Sequence, residues 1–295
     1  MTRYCAVFGH PIKHSASPAM QNAGIATLNL DWRYLACEVR PEELREAIAG
    51  AKAMRFLGLN LTVPHKLLAV EMMDVLDASA QQWGAVNTVR FEAKDAHGRW
   101  RPLTQIPAED ASEIRAHGFN TDADALTRSL REDLQVELHG ARLLLLGAGG
   151  AGRTAALKLA SDGARELFLI NRTASKAEEV AAEIRQRFPA VHVGTGYPAG
   201  TVDLLLNATS LGLKTTDTPP LDTRQFALSK SGAVYDMIYR PAETPLLKAA
   251  KAAGCRTANG LGMLLYQGAK ALEIWSGQTA PLESMRRALE KSIYG

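Results

Sequence analysis

Leu143-Leu144-Leu145-Leu146-Gly147-Ala148-Gly149-Gly150-Ala151-Gly152 is the stretch whose reading decides the fold. An apolar run stops at glycine, helix formers follow from Arg153 to Ala160, and Leu167-Phe168-Leu169-Ile170 makes a second apolar run. The reading is strand, glycine turn, helix, strand. Gly147 permits the tight turn, Gly149 lets the backbone approach a pyrophosphate, and Gly152 lets helix and strand pack closely. The helix N-terminus offers free N–H groups and the positive end of a dipole to phosphate. A glycine-rich turn without a ligand is the alternative, and the strand-turn-helix context disfavours it.

The end of the second run indicates which dinucleotide. An NAD site carries Asp or Glu there to hold the ribose 2′-hydroxyl, whereas this chain has Asn171-Arg172-Thr173. Arg172 can stack on adenine and pair with a 2′-phosphate that a carboxylate would repel. A surface arginine beside a loop is the plainer reading. Together the two motifs favour NADP.

With 295 residues, the chain has room for two domains with substantial cores. Its 46% apolar and 22% charged content is that of an ordinary globular protein. A net charge of +3, with no lysine or arginine block, speaks against nucleic acid. Cys5, Cys37 and Cys255 are scattered, with no CxxC pair and no histidine at ligand spacing, so no metal site is expected. Buried free thiols point to a reducing compartment. No apolar run has the length of a signal peptide or a membrane span, which reads as a cytoplasmic protein.

Outward from the glycine stretch, Tyr4 to Phe8 reads as a strand, and Pro18 is placed to begin a helix after His14-Ser15-Ala16-Ser17. Ser15 and Ser17 suit a carboxylate; Ser17 as a helix cap is the bland alternative, and both can hold. Strands over Trp32–Val39 and Phe56–Leu61 flank a helix over Pro41–Met54, giving a βαβαβ start and a parallel sheet. Asn60, Thr62 and Lys66 follow at a strand's carboxyl end, where open α/β sheets bind ligands. A solvated helix lysine is the default for Lys66, and His65 reads as structural or surface. Asp74–Gln82 reads as a short helix. Asn87, polar within an apolar run, needs either a substrate hydroxyl or a neighbouring backbone group if buried. Residues 92–116 read as loop, with a short helix near Ala108–Ala116. For Asp122, ahead of a helix over Ala123–Leu134, an N-terminal helix cap and nothing more is the bland reading. Later strands are expected over Val202–Leu206, Ala233–Met237 and Cys255–Ala258. Helices are expected over Ala174–Phe188, Thr244–Ala253, Gly260–Trp275 and Pro281–Ile293.

In order, His14-Ser-Ala-Ser-Pro18, Asn60-Leu-Thr-Val-Pro-His-Lys66, Gly84-Ala-Val-Asn-Thr88 and Gly118-Phe-Asn-Thr-Asp122 resemble motifs of the shikimate dehydrogenase family. So do the glycine stretch, Asn171-Arg-Thr173, Asn207-Ala-Thr-Ser-Leu-Gly212, Asp236-Met-Ile-Tyr239 and Gly260-Leu-Gly-Met-Leu-Leu-Tyr-Gln267. The resemblance covers nearly the whole chain. It implies NADP-dependent, reversible interconversion of 3-dehydroshikimate and shikimate, on the way to aromatic amino acids and chorismate. It implies an α/β fold of two domains with a cleft between them. The substrate domain would be an open, mostly parallel α/β sheet over 1–121 and 263–295, and 122–262 would be a Rossmann-like NADP domain. By the same resemblance Ser15, Ser17 and Tyr239 hold the substrate carboxylate, and Asn60, Thr62, Asn87 and Gln267 meet ring hydroxyls. Lys66 and Asp122 match the catalytic pair. Gly147, Ala148, Gly149, Gly150 and Ala151 line the cofactor, as do Asn171, Arg172, Thr173 and Lys176, with Met237, Gly260 and Met263 beyond them. The partner is then a small molecule, not nucleic acid or membrane, and a homodimer stays open.

The chemistry is consistent with that pair. A nicotinamide supplies the hydride, so the protein has one carbon to place and one proton to manage. A lysine within hydrogen-bond reach of the alcohol can take and return that proton, with a carboxylate orienting it. Three departures stand out: Ala125 where the family usually has glycine, Arg240 in place of a common asparagine, and a long 92–116 segment. Rival readings are a quinate or aminoshikimate dehydrogenase and a non-catalytic NADP sensor; the presence of both Lys66 and Asp122 argues against the sensor.

Overall fold

The computed structural model describes residues 2–107, 111, 113–214 and 216–295. They divide into two units, one taking the chain through Asp122 together with Leu265–Gly295, the other Ala123–Leu264.

The first unit begins with β1 (Arg3–Gly9), whose Cys5, Ala6, Val7 and Phe8 are all buried, the pattern of a strand covered on both faces. Next come α1 (Ser17–Thr27), β2 (Trp32–Glu38), a 3₁₀ turn at Pro41–Glu43, α2 (Leu44–Ala53) and β3 (Gly58–Leu61). Pro18 occupies the first turn of α1, where its missing N–H costs nothing. Ser17 does not cap that helix: the N-cap is Ala16, and the Ser17 N–H instead donates to Ser15 Oγ at 3.4 Å. β1 lies parallel to both β2 and β3.

Beyond α3 (His65–Leu68), residues 74–82 depart from the expected helix. They form β4 (Val75–Leu76) and α4 (Ala78–Trp83). Asp77 caps α4 by accepting from the Ser79 N–H, and the chain just ahead of it is pulled out to pair with a later strand. The segment 92–116, read as loop, is largely sheet: β5 (Thr88–Lys94), β6 (Trp100–Pro102) and β7 (Ile114–Phe119). Its charges mislead because they alternate. Val89, Phe91 and Ala93 are fully buried, while Arg90, Glu92 and Lys94 share the other face. Buried Glu92 accepts from Arg90, from Arg115 Nε at 2.8 Å and stands 3.1 Å from His117 Nδ1. Of the helix expected near 108–116, residues 108–110 and 112 lie outside the described residues, and 114–116 belong to β7. The sheet order is β2-β1-β3-β5-β7-β4, with β6 on β5. It is parallel around β1 and between β4 and β7, and antiparallel on both sides of β5.

The second unit opens with the body of α5 (Asp122–Leu134), followed by β8 (Arg142–Leu146), α6 (Gly150–Ser161), β9 (Glu166–Ile170), α7 (Ala174–Arg187) and β10 (His192–Thr195). Then come β11 (Val202–Asn207), β12 (Ser231–Asp236), α8 (Pro245–Ala252) and β13 (Arg256–Asn259). All its strand pairings are parallel, in the order β10-β9-β8-β11-β12-β13. This is the doubly wound order, with its switch point between β8 and β11, where such sheets bind dinucleotides. β10 escaped the sequence reading; four residues with a glycine among them carry little periodicity. Leu144, Leu146, Leu205, Phe226, Val234 and Leu246 fill the core on one side.

α9 (Leu261–Ser276) then crosses from the second unit into the first, and α10 (Leu282–Tyr294) ends the chain against α1. Trp275, almost fully buried, donates from Nε1 to the Val89 carbonyl at 2.9 Å. Gly58 makes room for it: a Cβ there would lie 2.1 Å from the indole nitrogen.

Candidate active site

In the first unit the structure pairs Lys66 with Asp122 and links Asn60, Asn87 and the Gln267 carbonyl through Thr88 and Thr121. Lys66 Nζ donates to Asp122 Oδ2 at 2.7 Å; the lysine side chain is about one-third exposed and Asp122 mostly covered. Both are held from behind. The Lys66 carbonyl accepts from the Val86 N–H at 2.8 Å, and the Asp122 N–H donates to Asn120 Oδ1 at 3.1 Å. Asn120 is itself anchored by its Nδ2 on the Ala85 carbonyl. The lysine thus spends one ammonium proton on Asp122, leaving two to offer elsewhere.

Asn87 and Asn60 are buried and interlocked. Asn87 Oδ1 accepts from the Thr121 N–H at 2.8 Å, and its Nδ2 donates to Thr121 Oγ1 at 2.9 Å. Among the described residues that leaves one Asn87 amide proton unengaged. Asn60 has none to spare: its Nδ2 donates to the Asn87 carbonyl and to Thr88 Oγ1, and its Oδ1 accepts from the Tyr34 hydroxyl. Asn60 therefore ties β3 to Tyr34 of β2 and Thr88 of β5 rather than offering a donor. Thr62 and Gln267 are half-buried; the Gln267 carbonyl accepts from Thr121 Oγ1 at 3.1 Å, tying α9 to the same cluster. Ser15 is half-buried and Ser17 buried, at the start of α1. His65, unassigned from sequence, is fully buried with Nε2 2.9 Å from the Val39 carbonyl. Burial pushes its imidazole below the usual histidine range, against the bond to Val39.

In the second unit each glycine of the turn has its own reason. Gly147 sits at φ +104, a left-handed conformation that glycine tolerates. A Cβ on Gly152 would lie 2.1 Å from the Gly147 carbonyl oxygen, so only glycine allows α6 to start there. A Cβ on Gly149 would meet nothing within 4 Å. Gly149, Gly150 and Ala151 are exposed and Ala148 is buried, its N–H donating to Asn171 Oδ1 at 3.0 Å. Asn171 Nδ2 donates on to the Thr173 carbonyl, which shapes the exposed segment carrying Arg172, Thr173 and Lys176. Among the described residues, the side chains of Arg172 and Lys176 have no ion-pair or hydrogen-bond partner. A helix start with open space over Gly149 and two unspent cations past the next strand fits a dinucleotide bearing an extra phosphate.

Met237 and Met263 are half-buried, and Gly260 is buried with no room for a Cβ, which would sit 2.0 Å from the Met237 carbonyl oxygen. Tyr239 is half-buried; burial pushes its phenol up, against the opposing pull of Arg240. Sequence reasoning gave no role to Asn207, Asp236 and Thr244, which are fully buried, with Asn207 and Thr244 both donating to Asp236. The signal was available, since Asn207 and Asp236 each end an apolar strand with a polar residue.

Three family models match the chain: a shikimate dehydrogenase substrate binding domain over residues 7–89, shikimate / quinate 5-dehydrogenase over 129–209, and a shikimate 5'-dehydrogenase C-terminal domain over 260–290. The shikimate dehydrogenase (NADP(+)) of Methanopyrus kandleri is 39% identical over 296 residues, covering 98% of this chain and 95% of that one. The chain belongs to the shikimate dehydrogenase family. A shikimate dehydrogenase solved in complex with NADP+ superposes with a TM-score of 0.84 at 34% identity, over 100% of this chain and 96% of the other. The family fold also carries other chemistry. A 5-ketofructose reductase of a Gluconobacter strain matches with a TM-score of 0.80 and 34% identity over 99% of both chains. The substrate-domain match takes in Ser15, Ser17, Asn60, Thr62, Lys66 and Asn87.

Proposed function

We propose that the protein catalyses the NADP-dependent, reversible reduction of 3-dehydroshikimate to shikimate. The observation that carries the reading is the 2.7 Å Lys66–Asp122 contact at a strand's carboxyl end, in a chain whose relatives bear this name. The exposed α6 start with Gly149 and Gly150 would take the pyrophosphate, Arg172 and Lys176 the 2′-phosphate, and Met237, Gly260 and Met263 the nicotinamide end. When bound, the cofactor supplies or accepts the hydride. Ser15, Ser17 and Tyr239 hold the carboxylate of the substrate, while Thr62, Gln267 and the spare Asn87 amide proton meet ring hydroxyls. As hydride reaches the carbonyl carbon, a Lys66 ammonium proton passes to the carbonyl oxygen; in the oxidative direction the neutral amine takes it back. Asp122, at 2.7 Å, keeps the amine aimed. The three free cysteines support a cytoplasmic setting, and no helix of the described residues is long and apolar enough to cross a membrane. A homodimer remains compatible with this reading.

Shikimate and quinate, each with NADP and NAD, and 5-ketofructose with NADPH, form the deciding assay on purified protein. Quinate carries an extra hydroxyl on the carbon bearing its carboxylate, and the proposed cradle of Ser15, Ser17 and Tyr239 is assigned to the carboxylate alone. Leaving that group unpaired costs about 1–3 kcal/mol, so kcat/KM with NADP should favour shikimate by at least about tenfold. Comparable efficiency on quinate, or preference for the neutral sugar, would refute the substrate assignment.

A further inference from the structure

We propose that Asp236 is a positioning residue, a hub that sets the Met237–Tyr239 segment in the geometry the reaction needs. The inference rests on the proposed contact between Tyr239 and the substrate carboxylate. Asp236 ends β12 with its side chain fully buried, and among the described residues no lysine, arginine or histidine pairs with it. Three neutral donors converge on it instead. Asn207 Nδ2 at 3.0 Å and the Ile238 N–H at 3.1 Å donate to Oδ1, and the Thr244 hydroxyl donates to Oδ2 at 2.7 Å.

Each donor belongs to a different piece of chain. Asn207 closes β11 and shapes the turn after it, its Oδ1 accepting from both the N–H and the hydroxyl of Thr209. Thr244 starts α8, where its Oγ accepts from the Leu247 N–H. Ile238 lies between Met237 and Tyr239. The contacts around them leave little slack: a Cβ on Gly212 would touch Ile238 and Thr244 at 3.3 Å, and the Gly260 N–H donates to the Ile238 carbonyl. A carboxylate is the one side chain with two acceptor oxygens and no proton of its own, so it alone can take donors from three segments together. Burying it is costly, and burial pushes the Asp236 carboxyl up even against its three hydrogen bonds. A core built for stability alone would use an apolar residue here. The return on that cost is placement: a misplacement of about 1 Å in a group that orients substrate can lower rate by about 10²-fold.

The test compares Thr244→Val, which keeps the shape and removes the donor, with Thr244→Ser, which keeps the donor. Tyr239→Phe serves as reference. Shikimate KM and kcat are read beside the affinity for 2′,5′-ADP, which carries the 2′-phosphate and lacks the nicotinamide end. Thr244→Val should raise shikimate KM and lower kcat, together costing about tenfold or more in kcat/KM, while 2′,5′-ADP binding stays within about twofold and Thr244→Ser stays close to the parent. Unchanged kinetics in Thr244→Val overturn the inference, as does a loss of 2′,5′-ADP binding equal to the loss in kcat/KM. If Thr244→Val yields no folded protein, Asp236→Asn repeats the test, since its oxygen still accepts from Asn207 and Ile238; unchanged shikimate KM there also overturns it. If Tyr239→Phe leaves KM unaltered, the Tyr239 assignment falls and takes the inference with it. If Tyr239→Phe raises KM and Thr244→Val does not, the inference alone falls.

Discussion

Alanine at Gly149 and alanine at Gly152 should do opposite things, although the two glycines are three residues apart in one turn. A methyl on Gly152 would sit 2.1 Å from the Gly147 carbonyl oxygen and 2.7 Å from its carbon. Ordinary contact needs about 3.5 Å, so the helix start would have to back away by more than an ångström. Both opposing atoms are backbone and cannot rotate aside. Overpacking of this kind costs about 1–3 kcal/mol, which for a unit of this size lowers Tm by roughly 3–10 °C. Gly149 has φ −74 and open space where a methyl would go. There the entropy gained against the unfolded chain and the poorer helix cap oppose one another, leaving stability within about 0.5 kcal/mol. NADP is another matter, because that open space is where the pyrophosphate should lie. A methyl intruding on it should cost about 1–3 kcal/mol of binding, roughly 5–150-fold in Kd. Thermal unfolding and calorimetric titration with NADP separate the two effects. A Gly149→Ala protein that folds and binds NADP like the parent would refute the assignment of the glycine turn.

Arg172→Ala should weaken NADP by about 1.5–3 kcal/mol and NAD far less, measured by titration of each; equal losses would sink the 2′-phosphate assignment. Lys66→Ala should lower kcat by about 10²–10⁴ with a much smaller change in shikimate KM, and a variant retaining near-full kcat would remove Lys66 from the chemistry. Burial pushes the Glu92 carboxyl up, but bonds from His117, Arg90 and Arg115 outweigh it and hold the group at about 2 rather than 4.5. Since the folded state depresses it, the stabilisation of about 3 kcal/mol is present above pH 4.5 and lost as pH falls through about 2. Urea unfolding should therefore show a Glu92→Gln deficit at pH 7 that shrinks by pH 3; a deficit independent of pH would count against this account.

How legible the sequence is depends on whether a residue acts through its neighbours in the chain or through distant ones. The glycine turn was readable because its strand, turn and helix are contiguous, and φ +104 at Gly147 is a local demand. Ser17 was readable as a residue at a helix start but not in its partner, because Ala16 and Ser17 compete for the cap by one position of register. The strands within 92–116 were hidden by charge. Glu92 is tolerable in a strand only because Arg115 and His117 arrive from β7, more than twenty residues on. The Lys66–Asp122 contact joins residues 56 apart, so motif resemblance suggested it and spacing alone could not. Asp236 and Thr244 lie in one short stretch, yet their meaning depends on Asn207, which comes from another strand.

The return of α9 to the first unit bears on how the protein emerges from a ribosome. Domains made in one piece fold in order of synthesis, the N-terminal one first. Here the first unit still lacks Trp275, whose indole donates to the Val89 carbonyl and fills the space kept by Gly58, until the whole second unit has been polymerised. The Gln21 amide likewise waits for the carbonyl of Gly268, and α1 waits for α10. By then the strands β8 to β13 of the second unit have all been synthesised. The segment made later can therefore complete its core first, while the segment made earlier is left with an apolar face until α9 and α10 close it.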